Sequence, residues 1–209
     1  AHAYYAADAD KSGRTDYFHT ITKAFLDGRK LIASADGEAL SHEELEALHA
    51  YVDIIKSNWE QVIAEAAFKY AGSVYEDLNK LSIIVESDGD PREAFRTYAK
   101  HWGELKGFTL ALQAGGNDLG ATAVKLNRLI GYGPVLLGGG SGGRVVGIDA
   151  DGGYTMGKAP SMGDYTVNMI KVQRLLAETF DLQARKNDVT AELHDVLESL
   201  NESQSAETD

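Results

Sequence analysis

The sequence contains no cysteine, which excludes disulfide bonds, thiolate metal sites and cysteine nucleophiles. It also lacks any apolar run near the ~20 residues that a membrane-spanning helix needs, so a transmembrane protein is not expected. Basic residues are in the minority, with 20 Lys and Arg against 32 Asp and Glu, giving a net charge of −12. Such a field repels a phosphate backbone and favours cations, so nucleic-acid binding is not expected. An acidic surface that keeps the protein soluble is the more ordinary explanation.

Two common hydrolase signatures are also missing. The chain has neither an H-E-x-x-H zinc-peptidase helix nor a G-x-S-x-G nucleophile elbow, so classical hydrolase chemistry is not supported. The N-terminus has no start Met and no signal peptide, so a processed form or a fragment is expected.

What is present is an amphipathic helical pattern. A chain of 209 residues with 44% hydrophobic content can bury a core. Ser41 and Glu44 form a capping box that predicts a helix start. The helical pattern continues to about residue 78, although Gly72 within it is an unfavourable residue for a helix. Apolar residues then alternate at spacings of three and four, which is typical of helices that pack in a bundle: Leu45, Leu48, Val52, Ile55, Trp59, Val62 and Ala66.

Further helices are predicted on both sides of this one. Asp90 and Pro91 start a helix that ends at Gly115. It should pack antiparallel to the Ser41 helix, with Trp59 and Trp102 largely buried. The other predicted helices cover 17–34, 121–130 and 166–183.

We therefore predict a mainly α, up-and-down helical bundle over residues 1–186. A Gly-rich insert at 131–163 carries a small β-hairpin, and 187–209 form a polar helix with a disordered acidic tail. The run Gly138-Gly139-Gly140-Ser141-Gly142-Gly143 lacks the Lys-Ser/Thr ending of a phosphate-binding loop, so nucleotide binding is not favoured.

The segment from Asp8 to Asp16 follows the first nine positions of a calcium loop. Oxygen ligands could come from alternate residues, with Gly13 at the sharp turn: Asp8, Asp10, Ser12, the Arg14 carbonyl and Asp16. The twelfth position is His19 instead of a bidentate Glu. Two hypotheses follow, a calcium site or an Asp-rich turn that caps the next helix.

A second candidate site is His101 with Glu104, which lie three residues apart and share one helix face. Such a pair can bind a transition metal when neighbouring helices add carboxylates, for which Glu60 and Glu65 are candidates. The alternative is a histidine that is hydrogen-bonded to a carboxylate at the edge of the core.

Four segments resemble the imelysin-like superfamily, and more narrowly a lineage of exported bacterial proteins with a domain of unknown function. They are 24–29 (AFLDGR), 59–64 (WEQVIA), 101–108 (HWGELKGF) and 129–135 (LIGYGPV). The similarity covers roughly residues 1–185 and matches the C-terminal half of longer members. His101 and Glu104 match the G-x-H-x-x-E hallmark, while Ala99 replaces its glycine.

The resemblance implies a helical bundle, a periplasmic or cell-surface location and a link to iron or other metal acquisition. The expected function is a non-catalytic, metal-associated binding protein, whose partner would be a missing N-terminal half or an outer-membrane component. The alternatives are an imelysin-type metallopeptidase and a structural or adhesion module stabilised by calcium.

Overall fold

The computed structural model describes residues 2–114, 119–137, 144–157 and 161–194. The run 138–143 and the tail 195–209 lie outside these ranges, and so do the predictions made for them. A further helical segment begins at Val189 and is described to His194. The elements in chain order are α1 (His2–Asp10), α2 (Tyr17–Ser34), α3 (His42–Glu86), α4 (Arg92–Ala114), α5 (Gly120–Ile130), β1 (Arg144–Ile148), β2 (Tyr154–Gly157) and α6 (Met162–Thr179).

The predicted mainly α bundle is confirmed, and α3 is its central element. With 45 residues, α3 is about 65 Å long at 1.5 Å per residue. Its start is the predicted capping box, in which Ser41 Oγ accepts from Glu44 N and the Glu44 carboxylate accepts from Ser41 N. The helices α1, α2, α4 and α6 all pack against it.

The main core lies around the C-terminal half of α3. Apolar side chains of α3, α4, α5 and α6 meet there with almost no exposure, among them Phe68, Leu78, Leu81, Tyr98, Leu105, Leu126, Ile130, Met169 and Leu176. A smaller cluster joins α1, α2 and α3 through Ala6, Ala9, Tyr17, Ile21 and Val62. The N-terminal part of the predicted stripe is not core, since Leu45 and Val52 are 40% and 43% exposed.

Trp59 and Trp102 pack against the two core clusters, and neither is fully enclosed. Trp102 Nε1 donates to the Tyr165 hydroxyl at 2.7 Å and lies 3.2 Å from the Ile130 carbonyl oxygen. This polar anchoring keeps the indole at the border of the core. Trp59 packs against the cluster formed by α1, α2 and α3, with its ring centroid 5.4 Å from that of Phe25.

Several boundaries differ from the prediction. The predicted 17–34 helix is confirmed, but α1 was not predicted, and α3 continues past Gly72 to Glu86. The helix α6 starts earlier, at a Ser161–Asp164 capping box, and ends at Thr179 because Phe180 is extended. The predicted hairpin is present as β1 and β2, antiparallel with a bulge between Val145 and Gly147. Among the described helices, none combines the length and apolar character required to cross a bilayer.

Candidate functional site

His101 on α4 is held by a carboxylate of α3. Its Nδ1 lies 2.7 Å from Asp77 Oδ2, and the two side chains are only 24% and 15% exposed. Burial raises the pKa of Asp77, although the hydrogen bond to His101 opposes that rise. A neutral imidazole that donates from Nδ1 to Asp77 leaves Nε2 as its lone-pair acceptor. Histidine ligands of metal ions are commonly oriented in this way.

Glu104 follows one turn after His101 on the same helix. Its Oε2 is buried and has no hydrogen-bond partner. Burial, hydrogen bonds to Tyr5 and Glu104 and the charge of Glu104 raise the pKa of Tyr70, so this hydroxyl stays protonated and is a donor beside the Glu104 carboxylate. The Tyr5 and Tyr70 hydroxyl oxygens are 3.1 Å apart. The Tyr70 hydroxyl therefore serves one part of the Glu104 carboxylate, and a cation would satisfy the buried Oε2.

Aromatic rings surround this pair. The Tyr70 ring centroid lies 5.7 Å from that of His101 and 5.8 Å from that of Phe108, with which it is stacked. Tyr5 of α1 completes the cluster, edge-on to Phe108 at 4.7 Å. These rings exclude water from one side of the two donor residues, which strengthens any electrostatic interaction made there.

The structure does not bring the expected carboxylate partners to this site. The Glu65 carboxylate instead accepts three backbone N–H groups, from Gln183 and Ala184 at 2.6 and 2.7 Å and from Arg185 at 2.8 Å. Glu60 lines a separate cleft near the end of α4, beside Asp53 and Lys56. In the part of the chain that the structure describes, no three His, Asp or Glu side chains are grouped to hold a metal ion.

His101 and Glu104 are therefore two candidate metal ligands, and Asp77 orients the first of them. Sequence reasoning missed Asp77, which lies 24 positions before His101 on another helix. No spacing rule connects the two residues. Only the register between α3 and α4 could have identified Asp77, and that register depends on how their apolar stripes interlock.

The Asp8 to Asp16 segment forms the end of α1, a turn and the start of α2. The Asp10 carboxylate accepts from Thr15 Oγ1 and Tyr17 N at 2.8 Å and from Phe18 N at 2.9 Å, and so caps α2. Asp16 takes the N-cap position without a side-chain bond, and Ser12 Oγ accepts from Arg14 N. In this turn Asp10 caps the next helix, as the second hypothesis expected. Calcium binding by these residues stays a prediction.

Asp8 has a different role, because its side chain faces the bundle. Its carboxylate lies 2.8 Å from both Lys69 Nζ and Lys186 Nζ. Burial alone would raise the pKa of Asp8, but hydrogen bonds and the charges of Lys186 and Lys69 lower it to about 2. Because this pKa lies below the ~3.9 of an unfolded aspartate, Asp8 stabilises the fold above about pH 4. That contribution is lost as the pH falls towards 2.

Asp8→Asn should therefore lower the free energy of unfolding by about 2–3 kcal/mol at pH 7, and the variant should lose less stability than the parent between pH 4 and 2. Urea unfolding at several pH values measures both effects. Asp53→Asn, at an exposed position, is the control. Equal stability of Asp8→Asn and parent at pH 7 would contradict the ion-pair assignment.

The calcium hypothesis for the turn from Asp8 to Asp16 has its own test. A rise in the parent's Tm with millimolar calcium that Asp10→Asn abolishes would identify a calcium loop.

Comparison with known proteins adds no relatives: no family model matches the chain, and no curated protein or solved structure is significantly similar to it. The imelysin-like resemblance thus stays a prediction from the four sequence segments.

Proposed function

We propose that this chain is a non-catalytic, metal-associated binding protein of the imelysin-like type, in which His101 and Glu104 supply two metal ligands. The observation that supports this proposal is that a carboxylate-oriented histidine shares one helix face with Glu104, whose Oε2 is buried without a hydrogen bond while Tyr70 hydrogen-bonds the same carboxylate. Imidazole and carboxylate together suit zinc, iron or manganese. A bound ion would act as a Lewis acid that holds a ligand, and its remaining positions would be filled by that ligand, by water or by another polypeptide.

The location that fits this proposal is the periplasm or the cell surface, with a link to the acquisition of iron or another metal. The absence of cysteine is compatible with an oxidising compartment. The proposed partner is a further part of a longer precursor or an outer-membrane component.

The metallopeptidase alternative has less support. A hydrolytic metal site typically has three protein ligands, an open position and a general base. Here two donors are available, Asp77 is engaged with His101, and Glu65 is engaged with backbone N–H groups. The calcium-stabilised adhesion module would need Asp8 to leave its ion pairs with Lys11, Lys69 and Lys186.

Calorimetric titration with Zn²⁺, Mn²⁺ and Fe²⁺ tests the proposal. The isolated chain should bind weakly, His101→Ala and Glu104→Gln should abolish binding, and Asp77→Asn should weaken it by about 10–100-fold, as changes beside a metal ligand do. His49→Ala, an exposed histidine of α3, should bind like the parent. Far-ultraviolet circular dichroism confirms that each variant is folded.

Two results would contradict the proposal. Binding that persists in both His101→Ala and Glu104→Gln would place the metal elsewhere. Cleavage of casein that needs added metal and disappears in Glu104→Gln would favour the peptidase.

A further inference from the structure

A cleft lies where α3 passes the C-terminal end of α4, and its described lining does not include His101 or Glu104. Its volume is about 430 Å³, which is the size of a site for a small organic molecule. Residues of α3 supply most of the lining and the last turn of α4 supplies the rest, among them Asp53, Lys56, Trp59, Glu60, Ile63 and Leu112. None of the described His, Asp and Glu side chains form a group of three that could hold a metal ion. An organic occupant therefore suits this cleft better than a single ion.

The apolar part of the cleft is a fixed surface. Trp59 is half-buried and packs against the cluster formed by α1, α2 and α3, with its ring centroid 5.4 Å from that of Phe25. Ile63 packs against the main core, to which Leu112 also belongs. Because these side chains are held in place before any ligand arrives, little conformational entropy is lost when one binds.

The charged residues that line the cleft favour a cation. Asp53 and Glu60 are seven residues apart, so they lie about two turns apart on the same side of α3. Lys56 is the base among the described lining residues, and it is exposed. Its stem therefore lines the wall while its ammonium group stays in water. Two carboxylates against one ammonium group give this lining a net charge of −1.

The end of α4 makes the cleft more negative. The C-terminal end of a helix carries a partial charge of about −0.5, and the cleft lies against Ala111 and Leu112 in the last turn of α4. That turn contains no basic residue. An anionic ligand would therefore be repelled by two carboxylates and by the helix end, whereas all three attract an ammonium group.

We infer that this cleft binds an organic ammonium ion with an apolar body, such as an aromatic amine side chain on a short alkyl chain. The ammonium group lies between Asp53 and Glu60 and donates charge-assisted hydrogen bonds to them. The apolar body lies on Trp59 and Ile63. Since an indole attracts cations more strongly than other aromatic rings, Trp59 favours the charged end of the ligand as well as its body. This gives a role to Glu60, which the His101 site does not use.

Tryptophan fluorescence of the full chain, titrated with phenethylammonium chloride, measures the binding. Phenylacetate and 2-phenylethanol are matched probes that keep the ring and replace the ammonium group with a carboxylate or a hydroxyl. Phenethylammonium should change the emission saturably, 2-phenylethanol should bind about fivefold more weakly, and phenylacetate should not bind. The change should persist in Trp102→Phe, where Trp59 is the remaining tryptophan.

Substitutions of the lining residues test the charges one at a time. Asp53→Asn and Glu60→Gln should each weaken phenethylammonium binding about 2–5-fold, as expected for charge pairs near the surface. Lys56→Gln should strengthen it, because it removes a positive charge from the lining. Glu86→Gln makes the same change at an exposed position near the other end of α3, and it should bind like the parent. High salt should weaken binding to the parent.

The inference would be overturned if phenethylammonium showed no saturable binding, if the three probes bound equally, or if neither carboxylate variant bound more weakly than the parent. Far-ultraviolet circular dichroism confirms that each variant is folded, and calorimetric titration of the parent makes the same comparison of probes without Trp102→Phe. No metal is present in these titrations, so the inference and the proposed function can fail independently.

Discussion

Glu65→Ala is expected to lower the free energy of unfolding by about 3–5 kcal/mol, because it leaves three backbone donors without an acceptor. Glu65 is only 4% exposed. Its carboxylate accepts from the N–H groups of Gln183, Ala184 and Arg185, and it thereby fixes the turn that follows α6. The backbone at Arg185 has a φ of 42°, so the turn needs outside support to hold a left-handed conformation.

Urea unfolding followed by circular dichroism measures the Glu65→Ala effect. Glu65→Gln retains one acceptor oxygen and should lose less stability than the alanine variant. Glu86→Ala, at an exposed position near the end of α3, should leave stability almost unchanged. Equal stability of Glu65→Ala and Glu86→Ala would show that the turn does not depend on this carboxylate.

Gly72→Ala should also be strongly destabilising, although alanine is the better helix former. A Cβ at Gly72 would lie 2.1 Å from the Asn187 carbonyl oxygen and 2.9 Å from Gln173 Nε2. Neither atom can move away easily, because Gln173 Nε2 donates to that carbonyl oxygen at 2.6 Å. Asn187 is also bonded to Ser73 Oγ at 2.9 Å. We expect a loss of about 2–4 kcal/mol, which exceeds the ~1 kcal/mol gain in helix propensity.

Gly103→Ala provides the matched control for Gly72→Ala. Gly103 also lies inside a helix, but nothing stands within 4 Å of its would-be Cβ. This substitution should therefore raise the Tm slightly through helix propensity alone. If thermal melting showed both variants to be stabilised, the close approach of residue 187 to α3 would be wrong.

Both substitutions act on one segment, residues 181–189, which follows α6 and packs on α3. Gln173 is fully buried, and its Oε1 accepts from Val189 N at 3.0 Å while its Nε2 donates to the Phe68 carbonyl. The sequence prediction placed a domain boundary at 186/187, where a polar helical segment was expected to begin. In the structure Asn187 and Val189 pack on the bundle because polar contacts to α3 and α6 hold them there.

The helix starts that could be predicted are those with a local chemical signal. The Ser41 capping box needs only residues within one turn, and it appears as predicted. The 17–34 helix is likewise recovered from its apolar spacing. By contrast, α1 was not predicted, because Asp8 and Asp10 in its last turn also fit the first positions of a calcium loop. Asp10 takes local partners at the start of α2, whereas Asp8 pairs with Lys69 and Lys186, both distant in sequence.

The same division holds for the candidate site. Helical geometry alone placed His101 and Glu104 on one face, since residues three apart are neighbours on any α-helix. It could not select Asp77 over Glu60 or Glu65, since all three lie on α3 and only the register of α3 against α4 separates them. The sequence by itself therefore determined most of the helices, the Ser41 cap and the shared face of His101 and Glu104, because those depend on contacts within a turn or two. Tertiary packing alone decided which carboxylate orients His101, which one secures the turn after α6, and which apolar stripe stays uncovered, because each of these depends on how separate helices meet.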